Sequence, residues 1–132
     1  MFKKHLIKTL LVTSALVLSA LPTPAQYSNH QWVRVTTDND DNTYHVDKLV
    51  VGRGRYRRYW MAKLSSQSEG WEKMLYSIDC QTKQRRLRMK VYYDENDKIT
   101  YSNTYGGDGE LEKVTAQMPA NLRVANLVCS MK

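Results

Sequence analysis

Lys73-Met-Leu-Tyr-Ser-Ile-Asp-Cys80, the connection Gln81-Thr-Lys-Gln84 and the run Arg85-Arg-Leu-Arg-Met-Lys-Val-Tyr-Tyr93 decide the fold. In an extended chain successive side chains point to opposite faces. Period two therefore groups Met74, Tyr76, Ile78 and Cys80, with Leu75, Ser77 and Asp79 opposite. In the second limb it separates Leu87, Met89, Val91 and Tyr93 from Arg86, Arg88, Lys90 and Tyr92. A polar connection between two such runs is a hairpin signal, and the expected product has one apolar and one basic face.

The same period extends outward in both directions. Tyr56 to Leu64 places Arg58, Trp60, Ala62 and Leu64 on one side and Tyr59, Met61 and Lys63 on the other, before the polar stretch 65–70. Gln31 to Thr37 is rich in β-branched and aromatic residues and ends at Asp38-Asn-Asp-Asp-Asn42, whose side chains bond their own backbone and favour a turn. Thr43 to Val46 then sets Tyr44 and Val46 against Thr43 and His45, and His45 reads as an exposed strand residue. Beyond the hairpin, a turn at Asp94 to Asp97 leads into Lys98 to Thr104, where Ile99 and Tyr101 continue the inner face, and Tyr105 to Glu110 reads as a flexible loop.

After Met118-Pro119 the period becomes helical. Asn121 is the expected N-cap, Arg123 and Asn126 fall on one side, and Leu122, Val124, Ala125, Leu127, Val128 and Cys129 cover most of the rest. So short a helix is marginal alone and needs a surface to lie on. The expected fold is α+β, mainly β: one curved antiparallel sheet of five to six strands, with a short C-terminal helix packed on it and tethered by a disulfide.

The tether follows from the compartment. Residues 1–8 carry three lysines and no acid, and Thr9 to Leu21 is uncharged and apolar until Pro22 and Pro24. A charged start followed by a short apolar run is a secretory leader, and Thr23 and Ala25 suit a signal-peptidase site between Ala25 and Gln26. The apolar run falls short of the roughly 20 residues needed to span a bilayer. No cysteine lies near its end for lipid attachment, so at most peripheral membrane contact is expected. The expected organisation is a signal peptide over 1–25 and one domain over 26–132. In an oxidising space the two cysteines, Cys80 and Cys129, are expected to pair, two buried thiols being the alternative. The reading is of an exported protein, periplasmic or extracellular.

Little in the sequence points to catalysis or a cofactor. His30 and His45 have no His or Cys at metal-ligand spacing, and no Ser sits in a nucleophile elbow. Gly52-Arg-Gly54 lacks the third glycine of a dinucleotide fingerprint, Gly106-Gly-Asp-Gly109 departs from a calcium nonapeptide, and 38–42 lacks the sixth-position glycine of an EF-hand. The leader's lysines account for three of the formal +7, and the remaining +4 is too weak for nucleic-acid binding. What remains is local charge. Arg86, Arg88 and Lys90 alternate on one strand face, Arg53, Arg55, Arg57 and Arg58 cluster before another, and Tyr92 adds a stacking ring. Charge on the outer face of a sheet is commonly just solvated; the functional alternative, and the candidate site, is an anion- or ligand-binding face of Arg86, Arg88, Lys90, Arg57 and Tyr92, for an anionic or protein macromolecule.

Trp32-Val33, Val46-Asp47, Ser77-Ile78-Asp79-Cys80 followed by Arg85-Arg86, Tyr92-Tyr93-Asp94, and Pro119 leading to Val128-Cys129 together resemble the bacterial surface-adhesin protein E domain family. The resemblance spans residues 31–129 and is carried by the order and spacing of short motifs. It implies a curved antiparallel sheet with a disulfide-linked C-terminal helix, and a binding role at a bacterial surface. An accessory domain of the periplasm, with an envelope protein as partner, is the alternative.

Overall fold

The computed structural model describes residues 29–132; the expected leader and cleavage site lie outside the described residues. Strands β1 (Trp32–Thr37), β2 (Thr43–Asp47), β3 (Tyr56–Leu64), β4 (Trp71–Asp79), β5 (Gln84–Tyr93) and β6 (Ile99–Thr104) form one antiparallel sheet in sequence order. A short seventh strand, β7 (Leu111–Lys113), pairs with the first part of β5, while β6 pairs with its second part. Helix α1 (Pro119–Ser130) closes the chain.

Aspartates build three of the hairpin turns. Asp38 Oδ1 accepts from the backbone N–H of Asp40 and Asn42, Asp79 Oδ1 from Gln81 and Thr82, and Asp94 Oδ1 from Asn96 and Lys98. Each turn then reverses through a left-handed residue: Asp41, Lys83 and Asp97 have φ near +62°. Local side-chain acceptors substitute for ladder bonds there. Gly109 is required for another reason, since a Cβ on it would lie 1.7 Å from the carbonyl oxygen of Leu87.

The helix lies over β1 to β3 and buries Ala120, Val124, Ala125 and Val128. They pack with Tyr44, Val46, Tyr59, Met61, Met74, Tyr76 and Ile78 from the helix face of the sheet. Tyr59 and Tyr76 stack with centroids 5.6 Å apart. Arg85 is 3% exposed inside this core: its guanidinium lies 4.0 Å from the Tyr76 ring and donates to Glu112, Asn121 Oδ1 and the Tyr59 hydroxyl. Asn121 is therefore an internal acceptor and not the helix cap. The helix starts at Pro119, whose fixed φ suits the first turn, with Met118 before it and no side-chain cap.

At the other end of α1 the Cys80–Cys129 disulfide joins the helix to the end of β4, with Cα atoms 5.6 Å apart. A closed loop of about 50 residues is worth about 4 kcal/mol in the chain-entropy account. Arg57 works beside it.

Its guanidinium donates to the carbonyl oxygens of Val128 and Met131 at the helix end and of Arg53 and Gly54 in the preceding turn. A helix leaves its last carbonyls unpaired and its C-terminus partly negative, so a buried cation there satisfies both needs.

Candidate anion-binding face

The expected stripe on β5 does not form as one surface. β5 carries a bulge: Leu75 faces Met89 and Tyr76 faces Leu87, so Arg88 is the extra residue. The bulge inverts the alternation. Before it, Arg85 and Leu87 point to the helix face and Arg86 to the open face. After it, Met89, Val91 and Tyr93 take the open face, while Lys90 and Tyr92 share the helix face with their partners Met74 and Glu72. Uniform period two could not register an inserted residue. Arg57 is also absent from any surface, being 8% exposed and committed to carbonyl oxygens.

Part of the basic set does assemble, with a member from another strand. Directly paired antiparallel residues share a face. Val51 pairs with Arg58, Arg58 with Ser77, Ser77 with Arg86, and Arg86 with Leu111, which makes one row across the open face. Arg88 joins it, its Nε donating to Ser77 Oγ at 2.8 Å. Arg58, Arg86 and Arg88 thus surround one serine. Arg86 also donates to the carbonyls of Gly107 and Gly109, and Arg88 to that of Gly106. Carbonyls orient a guanidinium without neutralising it, and no carboxylate among the described residues is ion-paired with these three.

Val51, Tyr56 and Leu111, at 67%, 66% and 51% exposure, rim the patch. Asp79, two residues beyond Ser77 on the same face of β4, is held by both arms of Arg55 at 2.8 Å. That pairing, with two backbone donors, keeps its carboxyl well below the usual range. The patch is therefore cationic at its centre, pre-positioned by the 106–109 loop, and apolar at its edges.

The sequence reading missed a second cluster further along the same face. His30 Nδ1 lies 2.6 Å from Asp47 Oδ2, and Lys73 Nζ lies 3.1 Å from His30 Nε2. Asp47 Oδ1 also accepts from the N–H groups of Gln31 and Leu49. The His30 ring packs on Trp32 and Trp60, and the Lys73 ammonium lies 4.8 Å from the Trp60 ring and 5.6 Å from Tyr93. Burial lowers the His30 pKa despite the Asp47 hydrogen bond, and burial brings Lys73 down to about 8. At neutral pH a charged Lys73 donates to a neutral His30, which donates to Asp47. With Lys73 only 5% exposed, this network locks the chain before β1 onto the sheet. His45, expected at the surface, is buried in β2 between β1 and β3 because the sheet continues on both sides of it.

No group of three or more His, Cys, Asp or Glu among the described residues could hold a metal ion. No helix among them is long and apolar enough to cross a membrane. Set against protein-family models, curated proteins and solved structures, the chain matches none.

Proposed function

We propose that this protein is an exported binding module that holds an anionic macromolecule on the open face of its sheet, at the cell envelope or outside the cell. The observation that carries the reading is the convergence of Arg58, Arg86 and Arg88 around Ser77 with no paired carboxylate among the described residues. The leader-like residues 1–25 and the Cys80–Cys129 bond support export. The resemblance to surface-adhesin protein E domains supports binding over catalysis.

An oriented guanidinium presents parallel donors to a phosphate, sulfate or carboxylate, so the patch suits planar or tetrahedral anions repeated along a chain. The test is retention of the purified disulfide-bonded protein on a sulfated polysaccharide matrix. The parent is expected to bind in 0.1 M salt and elute well before 1 M, as the Debye length shrinks from about 10 Å to about 3 Å. The double variant Arg58→Glu/Arg88→Glu should flow through. Equal retention of the two proteins would refute the assignment.

A further inference from the structure

The arginine face leaves a separate cavity unexplained. Because α1 lies over β1 to β3, the far part of the helix face is left uncovered by the helix. An open groove of about 1110 Å³ runs there, walled by the 65–70 connection and by Thr100 and Tyr105. Its floor is one cross-strand row, Lys63 to Glu72 to Tyr92 to Tyr101, over four neighbouring strands. Tyr101 is 45% exposed and meets the Tyr92 ring edge-on at 5.5 Å, and the Lys90 ammonium lies 5.4 Å from the Tyr92 centroid.

We propose that this groove is a second binding site, for a neutral, hydroxyl-rich oligosaccharide. Its charges balance, Lys63 and Lys90 standing against Glu72 and Asp40, so it is not built for an anion. A purely apolar ligand would strip water from those charges without replacing their hydrogen bonds.

An extended peptide fits poorly as well. The floor is a sheet face, and the backbone groups of β3 to β5 beneath it are already bonded on both sides, so strand addition is open only at the outer edge of β6, beside the groove and not along its floor. A sugar chain brings what the floor can meet: C–H faces for the Tyr92 and Tyr101 rings, and hydroxyls for Glu72, the lysines, Gln67 and the serines of the wall. The volume exceeds the roughly 300–1,000 Å³ of ordinary small-molecule pockets, and the groove is open, so several sugar units fit and not one.

The probes are neutral glucan and N-acetylglucosamine oligomers of four to six units, titrated by calorimetry in about 0.1 M and about 0.5 M salt. Saturable binding that is insensitive to salt is expected with one of these classes. Tyr101→Ala, a change at an exposed ring, should weaken it about tenfold. Arg58→Glu should leave it unchanged, which separates this site from the open face. Absence of binding to both classes, or binding that Tyr101→Ala leaves intact, would overturn the proposal.

Discussion

His30, Asp47 and Lys73 reach one another across 17 and 43 positions of chain, and their contacts set a pH dependence. Burial lowers the pKa of His30, so below about 6.5 the unfolded chain binds a proton that the folded one resists, and stability falls on acidification. Lys73 acts in the alkaline range. Its folded pKa of about 8 lies below its ordinary 10.5, so between these values the unfolded state binds more protons and stability rises with pH. Above about 10 the trend reverses, because burial raises Tyr93 to about 12 and unfolding then releases a proton. Thermal melts across pH 5 to 11 should show this rise and fall, and Lys73→Met should flatten the climb above pH 8. Lys73→Met, which takes the donor from His30 Nε2 but also removes the cost of burying an ammonium, should cost less than Asp47→Ala, which should cost about 3–5 kcal/mol by leaving buried charge and two backbone donors without their acceptor.

The neighbours Arg57 and Arg58 make the same point about placement. Arg57→Met should cost about 2–4 kcal/mol, because the carbonyls at the helix end lose a charged donor. Arg58→Ala should change stability by no more than about 0.5 kcal/mol, its side chain being exposed. Chemical denaturation of the two variants decides both.

At the scale of the element, α1 has no side-chain N-cap and depends on packing, on Arg57 and on the disulfide. Replacing Cys80 and Cys129 by Ala should cost about 2–5 kcal/mol, and amide exchange should show α1 opening before the sheet. An unchanged melting temperature would assign the helix to packing alone. The strands, their antiparallel order and the helix were legible in the sequence because period two holds in β3, in β4 and on each side of the β5 bulge and period 3.6 holds in α1, and the disulfide was legible from two cysteines behind a secretory leader. Three features were not. β7 is only three residues long and exposes Leu111, so it has no periodic signal. The β5 bulge is set by the mismatch between two paired strands, which neither strand's pattern shows alone. Arg57, Arg85 and Lys73 look like surface charge in one dimension, and only their distant acceptors and rings explain their burial. The candidate face was therefore half visible: Arg86 and Arg88 belong to it, Arg58 replaces Arg57, and Lys90 and Tyr92 line the groove on the other face.

For the whole molecule, the two faces divide the work: α1 and its core fill much of one, while the other presents oriented arginines beside exposed Val51, Tyr56 and Leu111. The export reading predicts a product beginning at Gln26, and intact mass of the secreted or periplasmic protein checks it; retention of residues 1–25 would contradict it. The central claim is that an anionic macromolecule is held by the open face. Backbone amide shifts recorded while a sulfated oligosaccharide is titrated into the protein test it most directly. The account predicts that the largest changes cluster at Arg58, Ser77, Arg86, Arg88 and the 106–109 loop, and fade as salt is raised. Changes centred on Tyr92 and Tyr101, or scattered without relation to the arginines, would contradict it.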